Sequence, residues 1–201
     1  VIVFTSDHGE QLGDHRLLGK MGFYDQSYHI PLLIRDPDSA IAANTATTSS
    51  KREVSVFTES VDVMPTLLDL LGAAVPPQLD GRSLKPWLKG ESVENWRRSA
   101  HWEFDFREII SRDAENTLGL PSQLCNLSVI RDEHFKYVHF AGLPPLLFDL
   151  EQDPAEQRNV AEVESYQNVR LYLAEKLLRW RAEHLDQSLA LKQLSVDGVV
   201  G

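Results

Sequence analysis

The chain opens on Val1-Ile2-Val3-Phe4-Thr5 and runs straight into Ser6-Asp7-His8-Gly9. An apolar, largely β-branched run without polar alternation suits a strand covered on both faces, the pattern of a buried parallel strand. Such a strand needs neighbours in its sheet, and few other segments here supply them. The expectation is therefore the ordered part of a longer protein, entered in the middle of a sheet, with any targeting peptide out of view. In open α/β sheets, ligands gather beyond the carboxyl ends of strands. Asp7 and His8 stand at that point and offer a carboxylate oxygen and an imidazole nitrogen to a divalent cation. Gly9 lets the chain turn away sharply. Spacing alone leaves a second reading open, in which Asp7 caps a helix and His8 is an ordinary loop residue.

Composition narrows the classes. With 201 residues there is room for one ordinary domain and a small appendage. A chain 42% hydrophobic and 25% charged is close to the globular average, which argues against disorder and collagen-like repeats. No apolar run approaches the ~18–20 residues of a membrane span. Thirty acidic against twenty basic residues give a net charge of −10, which disfavours non-specific nucleic-acid binding. The single cysteine, Cys125, excludes an internal disulfide and a cysteine-only zinc site.

Along the chain, residues 30–35 read as a second strand and residues 54–57 as a short third one. Residues 40–51, small and polar, read as a mobile surface loop. Residues 59–71 form the first clear helix. Val61, Met64, Leu67, Leu68 and Leu71 share one face, Asp62 lies near the cap and Pro65 near the true start. A short helix follows near residues 84–88. From Arg97 the texture changes to short strand-like runs at residues 99–106, 126–131, 135–140 and 146–149, a small antiparallel sheet. Residues 160 to about 191 read as one long helix. Its stripe of Val169, Leu173, Leu177, Trp180 and His184 would lie across that sheet. Leu127, Val129, Val138, Phe140, Leu173, Leu177 and Trp180 are the expected core there. Residues 195–201 read as a frayed tail.

The stretch Asp7-His8-Gly9-Glu10-Gln11-Leu12-Gly13-Asp14-His15, closed by Gly19-Lys20, resembles the second metal motif of the sulfatase family, in the alkaline phosphatase superfamily. Other landmarks follow in family order. They are Tyr28-His29-Ile30-Pro31-Leu32-Leu33-Ile34, Val61-Asp62-Val63-Met64-Pro65-Thr66-Leu67-Leu68-Asp69 and Leu79-Asp80-Gly81-Arg82-Ser83-Leu84. The last is Leu147-Phe148-Asp149-Leu150-Glu151-Gln152-Asp153-Pro154 with Arg158-Asn159-Val160. Residues 22–29, 100–107, 120–127 and 129–138 resemble the phosphonate monoester hydrolase branch more closely.

The resemblance implies an α/β fold, the C-terminal part of a sulfatase/alkaline-phosphatase-like architecture, with a small antiparallel sheet packed by a long C-terminal helix. Residues 1–95 would end the large catalytic domain, and residues 96–201 would form the sheet-and-helix subdomain. It implies a metal-dependent hydrolase of phosphonate, phosphodiester or sulfate esters. Asp7 and His8 would be ligands to one divalent metal (Mn, Ca, Zn or Mg). Lys20, thirteen residues after Asp7 and behind Gly19, would neutralise charge on the transferring group. Glu10 and Asp14 would orient His8 or stay exposed on the loop. His15 would hold the loop or touch substrate.

The family nucleophile is a formylglycine made in a C/S-x-P-x-R motif, which this chain does not contain. Cys125 precedes Asn126-Leu127-Ser128 and reads as a plain buried cysteine. The chain alone is therefore not expected to turn over. His101, Glu103, Asp105 and Arg107 alternate along a strand and line the cleft or an oligomer contact, or serve structure, the more common role of such alternation. His134 and His139 read as structural, and Trp87, Trp96 and Trp180 as core or interface. The expected partner is a small-molecule ester, with neither nucleic acid nor membrane. A homo-oligomer is compatible, and the cytoplasm is the favoured compartment. The rivals are an aryl or sugar sulfatase and, in another class, a non-catalytic assembly module.

Overall fold

The computed structural model of the chain describes residues 1–20, 22–37, 53–108, 110–184, 193–195 and 198–200. Strand β1 (Ile2–Thr5) pairs antiparallel with β2 (Leu32–Arg35), Ile2 opposite Arg35 and Thr5 opposite Leu32. The pairing is antiparallel where a parallel neighbour was expected. An unbroken apolar run reports that both faces are hydrophobic, but it carries no information on the direction of the neighbour. Here the ribbon leaves Ile2 60% and Phe4 62% exposed. Between its strands lie the motif loop and a single helical turn, α1 (Asp25–Tyr28). Residues 54–57, expected as a strand, take no strand pairing. Residues 40–51 lie outside the described residues.

Helix α2 (Val63–Leu70) follows a 3-10 turn over Ser60–Asp62. Glu59 and Asp62 cap it reciprocally, each side chain accepting from the other's end of the turn. Asp62 is fully buried, and its Oδ1 also accepts the Arg82 amide at 2.8 Å. Only glycine fits before Arg82, because a β-carbon on Gly81 would stand 1.9 Å from the Val61 carbonyl oxygen. Helix α3 (Lys85–Lys89) continues from there.

The second half is a four-stranded antiparallel meander: β3 (Ser99–Asp105), β4 (Asn126–Asp132), β5 (Phe135–Phe140) and β6 (Leu146–Asp149). Helix α4 (Asp113–Leu118) sits in the β3–β4 connection. The long helix α5 (Gln167–Glu183) crosses the sheet. Under it lie Ile130, Tyr137 and Leu147 of the sheet, packed with Leu173 and Leu177.

This corrects the expected core. Leu127, Val129, Val138 and Phe148 point the other way and pack with Phe23, Tyr24 and Trp102. The sheet is therefore apolar on both faces, so side-chain alternation could not say which face takes the helix. Phe140 and Trp180 are half-buried at the edges of the two clusters. Helix α5 also starts later than expected. Val160 donates its amide to the Leu147 carbonyl at 2.8 Å, which places its chain along β6 rather than in a helix. The expected helical stretch past His184 lies outside the described residues. In place of a frayed tail, β7 (Gln193–Ser195) and β8 (Gly198–Val200) pair antiparallel.

Candidate metal and oxyanion site

A cleft of about 1630 Å³ opens where β1 ends, lined by Asp7, His8 and Lys20 together with Tyr28, Trp96 and Trp102. The Asp7 side chain is 86% exposed. The His8 amide donates to its Oδ1 at 3.0 Å, and that bond with the neighbouring imidazole holds the Asp7 carboxyl below the ordinary range. Lys20 acts in the same direction as the smallest contributor. The His8 Nδ1 lies 2.7 Å from the Gly9 carbonyl oxygen. A carbonyl only accepts, so Nδ1 carries a proton, and in the neutral ring that binds a cation Nε2 carries the lone pair. That Nε2 stands 3.6 Å from Asp7 Oδ2.

One carboxylate oxygen and one imidazole nitrogen at this separation suit two positions around a divalent cation. Among the described residues no group of three or more His, Cys, Asp or Glu gathers to complete such a sphere. The pair fits one side of a metal site, and further ligands would have to come from elsewhere.

The loop after His8 is tied down at several points. The Gly9 amide donates to the Ser27 carbonyl at 2.9 Å, and the buried Gln11 side chain donates to Ser27 Oγ at 2.8 Å. Where the sequence offered Glu10 as an orienter of His8, the structure gives that part to the Gly9 carbonyl. Glu10 Oε1 instead accepts the Gly19 amide at 2.5 Å and the Leu12 amide at 3.3 Å. That contact closes the loop on itself and delivers Lys20, the next residue, to the cleft. Asp14 is exposed at the start of the turn Asp14–Arg16, and His15 stacks on Tyr24 with ring centroids 3.6 Å apart. Glu10, Asp14 and His15 do not line the cleft.

Arg97, also in the lining, clamps both oxygens of Asp62, Nη2 reaching Oδ1 at 2.8 Å, with Glu59 beside it. Tyr28 stacks on Trp102 at 5.0 Å, and burial pushes its hydroxyl up to about 12, so it stays neutral. His101 stacks on Trp180 and Glu103 meets Arg181 at 3.2 Å, and both residues also line the cleft. Asp105 and Arg107 pair with each other, and His134 pairs with Glu151. Cys125 is buried beneath the Pro121 carbonyl, and burial raises its thiol.

Sequence reasoning missed a second cluster. Lys136, fully buried on β5, meets Asp25 Oδ1 at 2.5 Å and also pairs with Glu156. Arg131 reaches the other oxygen of Asp25 at 3.3 Å. Burial raises the Asp25 carboxyl more than any single partner lowers it, but Lys136 and Arg131 together prevail and leave it below the ordinary range. For Glu156 burial prevails and its carboxyl sits above. A signal was present in the sequence. A lysine inside the apolar run Phe135-Lys136-Tyr137-Val138 needs a buried partner, since lysine is almost never fully buried unpaired.

The frame that carries this loop is that of the sulfatase-like proteins of the alkaline phosphatase superfamily. Within that class the chain belongs to the family of the N-sulphoglucosamine sulphohydrolase C-terminal region, whose model matches residues 13–183. It is 45% identical over 199 residues to the multifunctional alkaline phosphatase superfamily protein PehA of Trinickia caryophylli, covering 99% of this chain and 37% of that protein. To arylsulfatase K of Xenopus laevis it is 35% identical over 165 residues, covering 80% of this chain and 27% of that one. The phosphonate monoester hydrolase of Agrobacterium radiobacter superposes with a TM-score of 0.83 at 54% identity, over 99% of this chain and 38% of that chain. The chain thus spans between about a quarter and two fifths of the length of these relatives.

Proposed function

We propose that this chain supplies one wall of the active site of a hydrolase that cleaves phosphonate monoesters and phosphodiesters. Residues 1–95 would contribute the end of the large domain. One observation carries the reading. Asp7 Oδ2 and His8 Nε2 stand 3.6 Å apart, with Nδ1 committed to the Gly9 carbonyl, in the cleft that Lys20 also lines. Asp7 and His8 would hold one divalent cation, the mixed oxygen and nitrogen donors suiting Mn²⁺ or Zn²⁺, with Ca²⁺ or Mg²⁺ as family alternatives. When bound, the cation supplies Lewis-acid polarisation at an ester oxygen. Lys20 places an ammonium at the same cleft, where negative charge grows in the transition state of such esters. The nucleophile, a formylglycine in the family's usage, would lie outside this chain, in keeping with a buried Cys125 whose thiol is raised. The likeness to the Agrobacterium radiobacter phosphonate monoester hydrolase supports this substrate class.

A second reading, hydrolysis of aryl or sugar sulfates, is favoured by the likeness to arylsulfatase K. Comparing kcat/KM of the full-length protein on a phenyl phosphonate ester and on an aryl sulfate decides between them. The site itself is tested by Asp7→Ala and His8→Ala in the full-length protein. Each should lower bound metal by elemental analysis and abolish turnover of both esters. Full metal occupancy with normal rates would overturn the assignment.

A further inference from the structure

We propose that the buried Lys136 and Glu156 form, with the half-buried Asp25, a charge lock that fixes α1 and, through it, the placing of Asp7 and His8. The inference rests on the cation-site reading above and assigns these three as positioning residues for it.

The Lys136 ammonium lies 2.5 Å from Asp25 Oδ1 and 3.3 Å from the Phe23 carbonyl oxygen, and it pairs with Glu156. The Asp25 amide reaches Glu156 Oε2 at 3.4 Å, and Arg131 takes Asp25 Oδ2 at 3.3 Å. Two carboxylates thus balance two cations, the condition under which a buried lysine is tolerated. Glu156 holds a φ of +54° to sit there. A non-glycine residue in that region persists only where its surroundings over-determine it.

Asp25 begins α1, which is four residues long. One turn of helix does not hold itself together, so its place is set by what grips it. Two residues on, Ser27 takes the Gly9 amide on its carbonyl and the Gln11 side chain on its hydroxyl. There is no slack at this contact, because a β-carbon on Gly9 would stand 1.9 Å from the Gln26 carbonyl oxygen. The Gly9 carbonyl in turn sets which His8 nitrogen is free for a cation. The path from sheet to site therefore runs Lys136, Asp25, Gln26, Ser27, Gly9, His8, each step a direct contact or a chain neighbour.

The test measures Mn²⁺ affinity of the full-length protein by titration calorimetry, with Mn²⁺ as the sole added ligand, beside thermal melting. Four variants are compared: Lys136→Met, Asp25→Asn, Asp149→Asn and Asp7→Ala. Asp149→Asn is the control for plain destabilisation. It breaks the Tyr166 and Gln152 contacts of the small sheet and has no bond to α1. Losing a partner that orients a ligand typically costs 10–100-fold in metal affinity, so Asp25→Asn should weaken Mn²⁺ about tenfold or more, and Asp149→Asn less than about twofold. If Lys136→Met does not fold, the near-isosteric Asp25→Asn carries the test. Wild-type affinity in Asp25→Asn, with Asp7→Ala abolishing binding, overturns the lock alone. Equal weakening in Asp25→Asn and Asp149→Asn also overturns it, since the effect is then global. Wild-type affinity in Asp7→Ala overturns the cation site and the lock together.

Discussion

The Gly9 amide donates to the Ser27 carbonyl at 2.9 Å, which seats the end of β1 directly on α1. The approach is so close that a methyl group on Gly9 would fall 1.9 Å from the Gln26 carbonyl oxygen, and backbone cannot yield as a side chain can. Gly9→Ala should therefore push strand end and helix apart by about an ångström. A displacement of that size at reacting groups can cost on the order of 10²-fold in rate. In the full-length protein, kcat on a phosphonate ester should fall by about that factor and Mn²⁺ should bind more weakly. Steady-state kinetics and calorimetry at wild-type values would show that the loop does not depend on this seat.

The two-sided sheet gives a stability prediction at adjacent positions. Leu147 faces α5 and Phe148 faces Phe23 and Tyr24, and both are buried. Leu147→Ala should cost about 2–5 kcal/mol and Phe148→Ala about 3–5 kcal/mol. Urea denaturation of the two variants measures this. A sheet with a single core face would make one of the pair nearly neutral, and that outcome would contradict the packing.

The same sheet shows what the sequence could and could not disclose. Strands β5 and β6 fall where their apolar runs begin and end, and Glu133 and His134 join β4 to β5. The helical stripe of Leu173 and Leu177 and the sheet it crosses were legible, but the face of the sheet that receives it was not. Leu127-Ser128-Val129-Ile130 puts large apolar residues on both faces, so its pattern holds no preferred side. Asp7, His8 and Lys20 could be singled out because they follow one strand within fourteen residues, and they line one cleft. Asp25 and Lys136 are separated by 111 positions, and no local spacing links them. Only the oddity of a lysine within an apolar strand pointed to a partner, without saying which.

Acid should loosen the join between α2 and α3. Hydrogen bonds from Lys85 and Ser83 hold the Asp69 carboxyl below its ordinary value of 3.8. A carboxyl depressed in the folded state stabilises it above the unfolded pKa, and that contribution is lost as pH falls through the folded value. The group is partly exposed, so solvent screens the effect and only its sign is predicted. Hydrogen exchange of α2 amides should accelerate as pH drops below about 3.8, after correction for the intrinsic rate. Asp69→Asn should flatten that dependence. An identical profile in the variant would remove Asp69 from the account.

Lys20 tests the cleft as a place where charge is stabilised. It follows Gly19, whose amide Glu10 holds at 2.5 Å, and it lines the cleft with Asp7 and His8. An ammonium that meets the substrate oxygens mainly in the transition state affects kcat more than KM. Lys20→Ala in the full-length protein should therefore lower kcat on the order of 10²–10³-fold, as for removal of one preorganised donor, with a smaller change in KM. Lys20→Arg should rescue only part, because a planar guanidinium does not reproduce a compact ammonium charge. Glu10→Gln should act in the same sense but more weakly, since a neutral amide oxygen still accepts the Gly19 amide while losing the stronger charge-assisted bond. A Lys20→Ala variant with unchanged kcat and kcat/KM would make this lysine an ordinary solvated one. The closed loop from Gly9 to Gly19 would then serve the cation ligands alone.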